Sequence, residues 1–247
     1  MYAFPKLTAR DPRPVKGERI YAIGDVHGRY DLMIQLLERI INHFPTLEPK
    51  PSQLTVLLLG NLIDHGPYGA HCVELAKALA EEARATTLLG LHEHLLLESL
   101  DGKGEAQEAW LAMGGMATLK SYGIGAPKLS EDPFDFADRL EDGIPDDHIA
   151  FLRSLDASYS SGSYFFAHAG VKPGVSIAKQ SRKALFSVGE EFTQSDRWHG
   201  QIVVHGHSTV DYVEVHENRI AIDTGAHKTG KLTALCLQDT HIQAFST

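Results

Sequence analysis

Residues 19–28 read Arg19-Ile20-Tyr21-Ala22-Ile23-Gly24-Asp25-Val26-His27-Gly28, and the reading of the chain works outward from them. The run 19–23 is short, largely apolar and closed by glycine, which suits a buried strand. A carboxylate and an imidazole follow at once in a glycine-bounded turn. Four further segments repeat this layout after an apolar run: Gly60-Asn61-Leu62-Ile63-Asp64-His65-Gly66-Pro67, Gly90-Leu91-His92-Glu93, His168-Ala169-Gly170 and His205-Gly206-His207. Any one of them has an ordinary explanation, such as a tight turn with a capping Asp or an exposed His face. Together, each at a strand end, they point to one crevice at the edge of an α/β sheet. Carboxylate, imidazole and amide donors suit Mn, Fe or Zn better than Ca or Mg.

Between these segments the pattern changes period. Leu32, Leu36, Ile40 and Phe44 recur at helical spacing over 31–44, strands are expected at 53–59 and 85–89, and a helix at 70–82. Residues 97–155 are polar and helical in character and read as a small cap inserted between two sheet halves. Strands return at 164–167, 202–205, 212–215, 219–222, 232–237 and 242–245, with Glu217-Asn218 as a hairpin turn. Strand–helix repeats followed by antiparallel strands predict an α/β fold of the α+β sandwich kind: two mixed β-sheets flanked by helices. The expected organisation is a leader at 1–18 and one domain at 19–247.

Composition narrows the partners. A net charge of -9 with 43% hydrophobic residues fits a globular protein and argues against nucleic acid or an anionic membrane as partner. The early basic residues Lys6, Arg10, Arg13, Lys16 and Arg19 read as a solvated tail. Cys72 and Cys236 are the two cysteines, too few for a disulfide framework or a thiolate metal site. No apolar run approaches membrane length, and a cytoplasmic protein is expected. Of the 14 histidines, His43, His71, His148, His199, His216, His227 and His241 sit in unpatterned surroundings and read as surface residues.

The five segments, with Trp110-Leu111, Gly114-Gly115 and Ile222-Asp223-Thr224-Gly225-Ala226, resemble the bacterial phosphoprotein phosphatases among the calcineurin-like metallophosphoesterases. That group includes serine/threonine protein phosphatases and diadenosine tetraphosphate hydrolases, and the resemblance covers about 19–237. It implies that Asp25 and His27 hold a first divalent metal, Mn foremost with Fe or Zn as options, and that His168 and His207 hold a second. It implies His92 as the general acid, oriented by Asp64; without that role the two would be a structural pair bridging loops.

Four positions depart from the family pattern. Where the family has an Asp bridging both metals the chain has Asn61, a neutral amide with one oxygen between two mutually repelling dications. A metal-ligating Asn is replaced by Leu91, and the phosphate-gripping Arg after the second motif by His65. A second phosphate Arg falls at Gly189. Arg pairs bidentately with phosphate; His65 offers one donor and Gly189 none. His65, His94 and His205 are the candidates for substitute ligands. The resulting expectation is weak or absent catalysis, with one ion or low metal occupancy and a protein partner for a binding role. The alternative is an active phosphatase with a rearranged site, acting on a phosphorylated protein or a small phosphate ester.

Overall fold

β1 (Glu18–Ile23) is buried along its whole length because its alternate residues feed two cores. Tyr21 and Ile23 face a helical layer, and Ile20 and Ala22 face a second sheet, the division that the strand's period of two imposes. The computed structural model describes residues 11–128 and 130–247. Lys6 and Arg10 of the expected leader lie outside the described residues.

β1 is the centre of a five-stranded sheet. It pairs in parallel with β2 (Gln53–Leu58), which pairs in parallel with β3 (Ala85–Thr87); β9 (Thr233–Gln238) and β10 (His241–Ser246) add antiparallel on the other side. The second sheet runs β4 (Ser158–Ser161), β5 (Tyr164–Ala167), β6 (Ile202–His205), β8 (Arg219–Ala221) and β7 (Glu214–Val215). Ile20, Leu57, Phe166, Val204, Ile220 and Leu235 fill the space between the sheets. The outer face of the first sheet carries α1 (Tyr30–His43) and α2 (Gly69–Glu81), and that of the second carries α8 (Arg182–Ser187) and α9 (Glu190–Thr193). Two mixed sheets flanked by helices is the architecture expected from the sequence.

Some expectations are corrected. The strands after residue 163 are not simply antiparallel: β5, β6 and β8 run parallel, with antiparallel partners only at the edges. α8 and α9 lie in the β5–β6 connection, and a crossover of that length permits parallel pairing. β4, with the sequence Ser-Tyr-Ser-Ser, has no apolar run to announce it and exists through its pairing with β5. α3 (Leu91–Leu100) runs into the expected cap at 97–155, which holds α4 (Gly104–Trp110), α5 (Met116–Ser121), α6 (Pro133–Gly143) and α7 (Asp146–Ser154). The cap's Trp110, Leu119, Leu140 and Leu152 join Tyr21 and Leu58 in one cluster, so it extends the main core.

Arg19, grouped with the solvated basic residues, is fully buried. Its guanidinium donates to Gln238 Oε1 and to the carbonyls of Phe44, Leu47 and Pro49. The preceding residues are also tied down: Ser163 N donates to Arg13 O at 2.7 Å and Val15 N to Ser161 Oγ at 2.9 Å. Among the described residues, no helix is long and apolar enough to cross a membrane.

Candidate functional site

The parallel strands β1, β2, β3, β5, β6 and β8 present their C-terminal ends together; the loops leaving them carry the expected site residues, except His92, which lies in the first turn of α3 after β3. The backbone there is unusual. Among the described non-glycine residues, nine have positive φ, and five of these are His27, Asn61, Asp64, His65 and His207. Asn, Asp and His enter the left-handed region at less cost than bulkier residues, yet such clustering needs surrounding structure to enforce it. Glu93 supplies much of that enforcement: its fully buried carboxylate accepts from the backbone N–H of Asn61 (2.8 Å), Leu62 (2.7 Å), Ile63 (3.3 Å) and Gly90 (3.1 Å).

Asp25 lies at the floor of the site, 1% exposed. Its carboxylate accepts from His207 N at 3.1 Å and from Asn61 Nδ2 at 2.8 Å. Burial, then the neighbouring carboxylate of Asp223, push its pKa well above the ordinary range. Gly206 packs so closely that a Cβ on it would lie 2.1 Å from Asp25 Oδ1, so any larger residue there would displace the Asp25 carboxylate.

Asn61 bears directly on the two-metal arrangement that the sequence resemblance implies. Its amide nitrogen points at Asp25, and its Oδ1 accepts from His92 N at 3.2 Å. The group that faces Asp25 is therefore an N–H donor, which ligates no cation. Leu91 begins α3 with a side chain packed against the hydrophobic core. On the second side, His168 and His207 stand with ring centroids 5.1 Å apart. His168 donates from Nδ1 to Leu59 O at 2.8 Å, and its buried Nε2 has no protein partner.

His92 and Asp64 are brought together. Nδ1 of His92 lies 2.6 Å from Asp64 Oδ2, and Asp64 also accepts from Trp110 Nε1 (3.0 Å) and Thr118 Oγ1 (2.5 Å). The carboxylate fixes the imidazole tautomer with the proton on Nδ1 and leaves Nε2 facing the site. His27 is fixed similarly by its Nδ1 on Ile63 O at 2.9 Å. Burial, with His92 close by, holds the His27 pKa well below its ordinary value.

His65, expected as a phosphate contact, stands with its ring 4.8 Å from that of His27 and 5.4 Å from that of His92. The turn at Gly114, φ 104, allows this: a Cβ there would lie 2.7 Å from His65 Nδ1. His227, read from sequence as a surface residue, also belongs to the cluster. It lies on α10 (Ala226–Thr229), stacks on His65 at 4.2 Å and 9°, and sits 4.9 Å from His27. Burial, then His65, lower its pKa to about 4. Of the other supposed surface residues, His148 is buried and bonded to Tyr122 and Glu74.

The other candidates for substitute ligands are turned elsewhere. His94 packs on Phe186 at 4.3 Å. His205 is buried against Phe192, 5.1 Å between centroids, with Nδ1 on Gly206 O. Gly189 precedes α9 with nothing within 4 Å of where a side chain would begin. The sequence did not signal Glu93's role or His227's place, although the Trp110 and Gly114-Gly115 marks lie against Asp64 and His65.

A model of the calcineurin-like phosphoesterases matches residues 18–242. The chain is 30% identical over 172 residues to a symmetrical bis(5'-nucleosyl)-tetraphosphatase of Methylococcus capsulatus, covering 69% of this chain and 48% of that one. It thus spans about half the length of such curated relatives. Serine/threonine-protein phosphatase 2 of Escherichia coli is 25% identical over 226 residues, covering 87% of this chain and 90% of its own. Among solved structures, a putative diadenosine tetraphosphatase superposes with a TM-score of 0.63 at 19% identity, covering 95% of this chain and 98% of that one.

Proposed function

Because the chain belongs to the calcineurin-like phosphoesterase family, we propose that it binds phosphate esters in this crevice while the family's two-metal hydrolysis is weak or absent. One observation carries the reading: the Asn61 amide donates to Asp25 at 2.8 Å, where a bridging carboxylate would offer oxygen to two cations. When bound, such ions supply a hydroxide nucleophile and polarise the phosphoryl oxygens. The residues in hand give that pair no bridge, and Leu91 gives no donor. What remains for an ester is His65 and His227, whose rings can each donate one N–H to a phosphate oxygen, without the fork of an Arg. The ester class is a phosphoprotein side chain or a nucleotide, in keeping with the names of the relatives.

The test is hydrolysis of an aryl phosphate with Mn, Co, Ni or Zn by the native chain and by the double variant Asn61→Asp, Leu91→Asn. Loss of an electrostatic stabiliser typically costs ~100- to 1000-fold in kcat, so the double variant should exceed the native chain by at least ~100-fold. Equal turnover by the two proteins refutes the reading. The second reading, an active phosphatase with a rearranged site, draws on the extra imidazoles around His27.

A further inference from the structure

His27 and His92 of the implied site are joined by His65 in a three-imidazole cluster that a two-metal site does not require. His27, His65 and His92 each offer a ring nitrogen, and the three atoms lie within 4.8 Å of one another. Around a tetrahedral zinc with Zn–N bonds of ~2.1 Å, ligand nitrogens stand ~3.4 Å apart, so a modest closure suffices. Two of the three rings are already fixed in ligating form. His27 Nδ1 sits on Ile63 O and His92 Nδ1 on the Asp64 carboxylate, the outer hydrogen bonds that orient metal-binding histidines and raise their basicity. Asp64 is itself held by Trp110 and Thr118. His65, the exposed member, is the arm that can close. Stacking on His227 limits its swing, and His227 Nδ1 is buried with no protein partner.

Nitrogen-only sets suit Zn and its neighbours late in the first-row series, and suit Mn poorly.

We propose that His27, His65 and His92 form a mononuclear site for a zinc-class divalent cation, with one coordination position open to water or a phosphate oxygen. This rests on the reading above, that the bridged pair around Asn61 does not assemble. It also bears on chemistry: while His92 Nε2 ligates a cation it cannot protonate a leaving group. The centre is thus a phosphate-ester anchor rather than the family's hydrolytic device.

Metal-free protein is titrated with Zn by calorimetry and with Co, whose visible absorbance reports a four-coordinate nitrogen site. Since His65 and His207 have φ of 61 and 59, each is changed to Asn, which tolerates that backbone. Circular dichroism verifies that each variant is folded. The expected result is one ion per chain, at least ~10-fold weaker in His65→Asn, since even outer-shell losses cost 10- to 100-fold, and unchanged in His207→Asn. Absence of binding overturns the imidazole site and leaves the reading of Asn61 standing. Binding weakened by His207→Asn but not by His65→Asn overturns both. Binding weakened equally by the two variants overturns the separate three-histidine centre.

Discussion

Asn61→Asp tests the reasoning about the floor of the site through stability rather than turnover. In the native chain Asn61 Nδ2 donates to the buried Asp25 carboxylate at 2.8 Å, a hydrogen bond to a charged group contributing ~1.5–3 kcal/mol. The substitution removes that donor and faces Asp25 with another carboxylate, although the new oxygen still accepts from His92 N. Two like charges 4 Å apart at an effective dielectric of 20 repel by about 4 kcal/mol, which the pair relieves in part by retaining a proton. A net loss of about 3 kcal/mol is expected, and for a chain of this size that lowers Tm by roughly 6–12 °C. The measurement is thermal unfolding of both proteins with chelator present. Manganese at ~100 times its Kd should then restore about 2.7 kcal/mol to the variant and little to the native protein, whose imidazoles bind Mn weakly. An Asn61→Asp protein that melts with the native chain in chelator would refute the role given to this amide.

Thr118→Val removes the hydroxyl that donates to Asp64 Oδ1 and accepts from Asp64 N at 2.9 Å; urea unfolding should show a loss of about 2 kcal/mol. An unchanged midpoint would mean that Trp110 and His92 hold Asp64 unaided. Burial raises the pKa of Cys72 far above its ordinary value and that of Cys236 to about 11. Both thiols therefore stay protonated at pH 8, and thiolate-dependent alkylation of the folded protein should be negligible there. Labelling should appear only on unfolding or as pH approaches 11 for Cys236; rapid native labelling at pH 8, read by mass, would contradict that burial.

The local pattern along the chain determined the strands and helices wherever an apolar run or a helical stripe was present, and with them the segments after the strands that hold Asp25, Asn61, His92, His168 and His207. It determined the chemical departures too, since an amide at position 61 and an aliphatic side chain at 91 are facts of residue type. β4 escaped because a polar strand is defined by its partner. Arg19 was misjudged because buried charge is permitted only by acceptors that come from distant segments, here Gln238 and the carbonyls of 44, 47 and 49. The tertiary structure alone decided the direction of the Asn61 amide and the meeting of His65 with His227. His227 is carried there by β8, which ends beside the loop after β2 only because two sheets pack face to face. Residue type sets what a group can bind, but the convergence of segments from separate strands sets which groups meet.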